Sequence, residues 1–281
     1  MNNSEYGEHI DFVTVVFKKY DYARLVVKSI EKYVDYPHKI HIVNNGRNEG
    51  EDNGYDILKD MFEENKNVTI IKGVNQFNMD DARNDGKYSE DYYRKKYGWD
   101  GYTKYDKREI GFGSFAQSKG MEIGIKAGNG KYICNVEHDV IFLNKWVEDI
   151  FPLLDNNVFV AALYRYDMDY ARTDEWSVMK RETIENNFYK EQGDLYPNCH
   201  YKDTFGLLTL WARENKKPFF ITENSLNDRS LQGSHLLNVG FGEECFINGK
   251  SFLHHVGRGS IRDSSEDKEW IRESEKYLDA N

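Results

Sequence analysis

What most limits the folds open to this chain is an alternation of short apolar runs and amphipathic stretches between residues 11 and 73. "DFVTVVF" (11–17) is β-branched, apolar and bounded by charge, so it reads as a buried strand. Behind a candidate N-cap at Asp21, the residues Ala23, Val26, Val27, Ile30, Tyr33 and Val34 recur at three- and four-residue steps, which predicts an amphipathic helix. "YPHKIHIVNNG" then supplies a stop at Pro37, a second strand through about Val43 and an Asn-Asn-Gly turn. A helix around Tyr55 to Glu64 and the strand "NVTIIKG" (67–73) complete a β-α-β-α-β series. Parallel strands cannot be joined by a tight hairpin and need a crossover, so the series predicts an α/β protein with a mostly parallel sheet and right-handed connections.

Residues 76 to 112 break this pattern with a stretch dense in charge, glycine and tyrosine, which predicts an inserted loop or flap. Its rings at Tyr92, Tyr93, Tyr97, Trp99 and Tyr102 could close over a ligand or pack on one another. The period returns in "SFAQSKGMEIGIKAGNG", a helix ending at Gly128 or Gly130, and "KYICNV" is the fourth strand. "NKWVEDIFPLL" reads as a helix and "NVFVAALYR" as a strand. From 165 to 240 the pattern weakens around one helix near "FGLLTLWAREN"; "KSFLHHVGRGS" reads as a late strand and the last 20 residues as a charged surface helix. Four prolines and no Ser/Gly-rich linker argue that residues 1–165 and 166–281 form one continuous body.

With 39% hydrophobic and 31% charged residues the chain is globular rather than disordered. A net charge of −10 argues against sequence-independent attraction to nucleic acid or to an anionic membrane, while leaving room for a local basic pocket. Cys134, Cys199 and Cys245 are odd in number and show no metal-type spacing, which fits reduced thiols. The polar start "MNNSEYGEHID" is unlike a signal peptide, and no apolar run approaches the roughly 20 residues of a membrane span, so a cytoplasmic location is expected.

The chemistry-bearing stretch is "KYICNVEHDVIF" (131–142), in which Glu137, His138 and Asp139 interrupt an apolar run. On extended backbone, Glu137 and Asp139 project to one side and could share a cation, while His138 packs on the other; the alternative is a polar strand end in water. Open α/β sheets bind ligands at the carboxyl ends of their strands, where this triplet falls. Oxygen donors suit Mn²⁺ or Mg²⁺.

Three segments, "VTVVFKKYDYARLVVKSI", "IHIVNNG" and "GIKAGNGKYICNVEHDVIFLNKW", together resemble a glycosyltransferase of the GT-A fold, family-2-like in character. The resemblance implies a Rossmann-like core over residues 1–165, a mixed acceptor-side region over 166–281, and transfer of a sugar from a nucleoside-diphosphate donor, a UDP-sugar first among them, to a glycan or other hydroxyl. It implies that Asp139 ligates the cation and that Glu137 touches either the cation or a ribose hydroxyl. The resemblance implies that one of the adjacent pair His254 and His255, with His255 preferred, completes the metal shell, and Arg258 of "GRGS" could meet the diphosphate. Base and ribose would lie against Val15, Phe17, Lys18, Tyr22, Asn44, Asn45 and Arg47, with Gln117 and Lys119 approaching from the helix before the fourth strand. An inverting reaction needs a carboxylate base, for which Glu243 and Glu244 are the candidates and Asp174 and Asp228 the competitors. Asn44 stands where the family has an acid, Glu137 where it has the first Asp, and its late Glu-Asp pair has no clear counterpart here. The alternatives are a nucleic-acid-base glycosyltransferase, a nucleotidyltransferase and a non-catalytic nucleotide-sugar-binding protein. "FKKYDY" lacks the glycine-rich loop of a nucleotidyltransferase, and no G-x-G-x-x-G supports a dehydrogenase.

Overall fold

The computed structural model describes residues 6–46, 53–74, 112–166, 169–188, 206–257 and 264–280. β1 (Gly7–Val16), α1 (Tyr20–Tyr33), β2 (His38–Asn44), α2 (Gly54–Met61) and β3 (Val68–Lys72) follow one another as the alternation predicts. After them come α3 (Phe112–Ala127), β4 (Gly130–Val136), β5 (Val140–Phe142), α4 (Val147–Ile150), β6 (Val160–Ala161), β7 (Tyr164–Arg165), β8 (Tyr170–Ala171) and β9 (Trp176–Lys180). The chain continues through α5 (Gly206–Glu214), β10 (Phe220–Ile221), β11 (Glu223–Asn224), β12 (Glu243–Ile247), β13 (Lys250–His255) and α6 (Ser264–Ala280). The central sheet has seven strands in the order β10-β6-β9-β4-β1-β2-β3, and only β9 runs antiparallel to its neighbours. A smaller antiparallel sheet, β11-β12-β13-β5, lies beside it.

β1 sits in the middle of the sheet and is buried on both faces, which is why it reads as a continuous apolar run. Ile10, Phe12 and Val16 belong to the core shared with α1, whereas Val13 and Val15 belong to a second core beneath α3. The approach of α3 depends on glycine: a Cβ on Gly124 would stand 2.3 Å from a methyl of Val13, and one on Gly120 would stand 2.9 Å from Val15. Asp11, fully buried on the α3 side, accepts from the Gly130 amide at 2.5 Å, from Arg181 at 2.7 Å and from His41 at 3.0 Å.

α6 is more than the surface helix its charge suggests. Trp270 and Leu278 are buried, and the Trp270 ring lies 4.5 Å from that of Tyr22 on α1. Lys19, Arg24 and Lys28 of the α1 segment pair in order with Asp267, Glu275 and Asp279, so the two helices run side by side in the same direction. The strand expected over residues 157–165 is split into β6 and β7. Between them Ala162 turns its carbonyl to the side chains of Thr222 and Asn224, and the chain leaves the sheet. The central sheet also crosses the expected division at residue 165, because β9 and β10 join it from the later half. Among the described residues no helix is long and apolar enough to cross a membrane.

Candidate metal centre

β4 ends at Val136 in the central sheet and β5 begins at Val140 in the smaller one, so Glu137-His138-Asp139 is the turn by which the chain passes between sheets. The triplet follows the carboxyl end of β4 as expected, but its backbone is a turn and not extended, so the two carboxylates converge through that turn and not through side-chain alternation. Strand pairing then delivers the neighbours. β9 lies antiparallel to β4 with Trp176 opposite Val136, and the pairing continues one step as the Glu137 amide donates to the Glu175 carbonyl at 2.9 Å. β13 places His255 opposite Val140, and the Val256 amide donates to the Asp139 carbonyl at 3.1 Å. β12 places Glu243 opposite His255.

His255 is therefore at the centre of the cluster. Its Nε2 lies 3.2 Å from Glu137 Oε2 and 3.5 Å from Asp139 Oδ1, and these three residues offer donor atoms within 4.8 Å of one another. Six ligands around a Mg²⁺-sized ion stand roughly 3 Å apart along the edges of an octahedron, given bond lengths of about 2.1 Å. The observed separations fit one small divalent cation, and the donor set of two carboxylates and an imidazole suits Mn²⁺ or Mg²⁺. Nε2 is buried and makes no hydrogen bond, as expected of a ligand atom awaiting an ion. On the other side of the ring, Nδ1 lies 3.0 Å from Glu243 Oε1 and 3.3 Å from Glu175 Oε1.

The electrostatics follow from this crowding. Burial opposes a charged His255, yet Glu175 and Asp139 hold its imidazolium well above the usual histidine range. Burial alone would raise Glu137, but Arg172 and the imidazole bring it below the ordinary glutamate value. Burial dominates at Glu175 and pushes it up. Arg172 reaches three acids, at 3.5 Å from Glu137, 3.6 Å from Asp174 and 3.4 Å from Glu175. Gln117 on α3 donates to the second oxygen of Glu137 at 2.5 Å, which orients that carboxylate.

The structure thus brings together Glu137, Asp139, His255, Gln117 and Glu243 of the residues singled out from sequence. His254, on the opposite face of β13, accepts from Trp270 Nε1 at 3.2 Å, and burial pushes it down to about 3. Tyr22 is fully buried and donates to Asp267 of α6 at 2.5 Å, and its ring lies 5.9 Å from that of His138. Asn44 closes its own turn by accepting from the Gly46 amide at 3.1 Å. Asn45 donates to the Ala116 carbonyl at 2.6 Å and accepts from the Val74 amide at 3.0 Å, latching α3 to the sheet. Val15 is core, and Lys119 pairs with Glu122 at 3.4 Å on α3. Phe17 is half-buried beneath Lys18, whose ammonium lies 5.1 Å from the ring centre. Lys18 and Lys19 adopt φ of 57° and 49°, two successive left-handed residues without glycine, a costly conformation of the kind that gathers at functional rims. Glu244 is fully buried and accepts from the Leu236 and Leu237 amides and from Ser251 Oγ. Asp228 is exposed and caps a turn through the Ser230 amide at 2.9 Å. Arg47, Arg258, Cys199 and the aromatic segment from Tyr92 to Tyr102 lie outside the described residues.

Arg172 and Glu175 were not singled out from sequence. "ARTDEW" carries no local signal for them, because their place depends on β9 pairing with β4, a contact between segments about 40 residues apart.

No protein-family model and no curated protein matches the chain. Solved structures do. The galactosyltransferase LgtC in complex with donor and acceptor sugar analogs superposes with a TM-score of 0.50 at 12% identity, over 95% of this chain and 95% of its own. The glycosyltransferase GlyE of Streptococcus pneumoniae TIGR4 gives 0.49 at 10% identity over 98% of this chain and 63% of its own. S. aureus TarS gives 0.46 at 12% identity over 76% and 57%. The chain thus spans less than two thirds of the GlyE and TarS chains. The seven-stranded order with its single reversed strand, and a superposition that takes in 95% of both this chain and LgtC, give this protein a GT-A-like glycosyltransferase fold.

Proposed function

We propose that the chain is a divalent-cation-dependent glycosyltransferase that moves a sugar from a nucleoside-diphosphate donor to a glycan or other hydroxyl acceptor. One observation carries this reading: Glu137, Asp139 and His255, drawn from two strand junctions, aim donor atoms at a common point on the carboxyl rim of the sheet. The difficulty of the reaction is negative charge building on the departing diphosphate, and a bound Mn²⁺ or Mg²⁺ supplies Lewis-acid stabilisation of that charge worth several kcal/mol. Glu137, Asp139 and His255 would hold the ion, and Gln117 would keep the Glu137 carboxylate turned toward it. LgtC, with the same fold, holds donor and acceptor sugar analogs, which favours a nucleotide-sugar donor here. A UDP-sugar is the donor implied by the sequence resemblance. A family-2-like course is inverting, and Asp174, tied to Glu137 through Arg172, is then a candidate for the carboxylate that takes the acceptor's proton.

Thermal stabilisation by nucleotide sugars, each with and without Mn²⁺ or Mg²⁺, tests the reading. A donor at a hundredfold excess over its dissociation constant stabilises the folded state by about 2.7 kcal/mol, a shift of roughly 4–5 °C for a chain of this size. The shift should appear only when sugar nucleotide and cation are both present. If no UDP- or GDP-sugar raises the melting temperature with either cation, the reading fails.

A further inference from the structure

The reading above leaves two buried acids beside His255 without a task, Glu175 and Glu243. Neither faces the point on which Glu137 and Asp139 converge; both face the far nitrogen of the imidazole, at 3.3 and 3.0 Å. Their positions are set by the backbone and not by chance side-chain reach. Glu243 is held opposite His255 by the β12–β13 ladder, and Glu175 is held opposite Glu137 by the continuation of the β9–β4 ladder. Glu175 is fully enclosed, and neither of its carboxylate oxygens makes a hydrogen bond, although one pairs with Arg172 at 3.4 Å. Enclosing two carboxylates beside one ring nitrogen is costly unless that nitrogen carries a proton to share.

We propose that Glu243 and Glu175 are positioning residues: when a cation displaces the Nε2 proton of His255 to solvent, they keep the remaining proton on Nδ1, so that the Nε2 lone pair faces Glu137 and Asp139 as a cation ligand. An imidazole has one lone pair when neutral, and the group bonded to one nitrogen decides which nitrogen offers it. With the Glu137 and Asp139 oxygens on the Nε2 side engaged by the cation, the acceptors left for the ring proton are Glu243 and Glu175, so the tautomer that ligates through Nε2 is selected and the ring plane is fixed. Metal-bound imidazoles held in this way lose about 10- to 100-fold in metal affinity when the outer acceptor is removed. This inference rests on the cation reading, but it makes a separate demand on the atoms of His255.

The test uses the whole chain and the metal alone. Mn²⁺ affinity is measured by EPR, and the imidazole nitrogen coupled to Mn²⁺ by electron spin-echo modulation, in the wild type and in Glu243→Gln, Glu243→Ala and Glu175→Leu/Glu243→Leu. Circular dichroism confirms that each variant is folded. The wild type should show a directly coordinated nitrogen. Glu243→Ala and the double variant, which fills the space without an acceptor, should bind Mn²⁺ about 10- to 100-fold more weakly, with the nitrogen coupling reduced. Glu243→Gln alone, which keeps an acceptor oxygen, should lie between them and the wild type. A purely space-filling role would leave the nitrogen coupling unchanged in the double variant, and that result overturns the proposal. Should the variants not fold, the Mg²⁺-loaded wild type still decides. A long-range ¹H–¹⁵N spectrum of His255 must show the proton on Nδ1 and none on Nε2, and the reverse pattern refutes the inference alone. If the wild type binds neither Mn²⁺ nor Mg²⁺, the cation reading falls and this inference falls with it.

Discussion

Asp11→Asn is the substitution whose consequence can be worked furthest from the structure. The Asp11 carboxylate lies at the amino end of the sheet, far along β4 from Glu137, and gathers the Gly130 amide, Arg181, His41 and His9 around two oxygens. Burial works against its charge, but hydrogen bonds from His41 and Gly130 and the nearby Arg181 outweigh burial and bring it down to about 2 from an ordinary 3.8. The difference corresponds to about 2.5 kcal/mol of stability at neutral pH. Because the folded value is depressed, this contribution is complete above pH 4 or so and is lost as pH falls toward 2. The asparagine variant keeps the shape and some hydrogen bonds but leaves Arg181, 1% exposed, without its main counter-charge. A loss of about 3 kcal/mol is expected at pH 7, within the range for breaking a buried pair. Urea unfolding of both proteins should be followed at pH 5, 4 and 3. The gap between them should narrow by about 1 kcal/mol over that interval as the unfolded wild type takes up its proton. A gap that stays constant down to pH 3 would refute the claim that Asp11 is held as an anion. Mn²⁺ binding by the folded variant should match the wild type, because the network and the candidate centre sit at opposite ends of β4.

Asp139→Asn should lower cation-dependent transfer from a nucleotide sugar at least a hundredfold, about 2.7 kcal/mol in barrier, with an unchanged circular dichroism spectrum; transfer within threefold of wild type would remove Asp139 from the centre. Asn45→Ala orphans the Val74 amide and removes a second bond to the Ala116 carbonyl, so chemical denaturation should show a loss of about 1–3 kcal/mol, and a loss below 0.5 would mean that the latch is immaterial. Gly124→Ala gains helix propensity but drives a methyl into Val13, for a net cost of about 1–2 kcal/mol. Adding Val13→Ala should return more than 0.5 kcal/mol relative to the sum of the single changes, and strict additivity would disprove the contact.

How far the sequence could be read depended on the range over which each cause acts. The β-α-β-α-β opening, α5, β13 and α6 are written in local periodicity, and they stand where the pattern puts them. The two-residue strands β6, β7, β8, β10 and β11 are too short to show a period, and β9 reverses direction, which no residue in it announces. Candidate ligands that depend on local chain geometry, Glu137 and Asp139, were visible as residue types even though the backbone beneath them is a turn. The choice between His254 and His255 was not visible, because it depends on which face of β13 meets β5 and which meets Trp270. Tyr22 and Asn45 show the opposite failure. Both have the chemistry of base recognition, yet α6 and α3 pack over them and use their polar groups.

By itself, then, the order of residues determined the class of fold, the sheet's parallel half and the acidic triplet at its carboxyl rim, since each follows from spacing along the chain. Only the tertiary structure decided that His255, Glu175, Glu243 and Arg172 surround that triplet. Their meeting depends on strand register between distant segments, and register is a property of the folded sheet that no single segment carries.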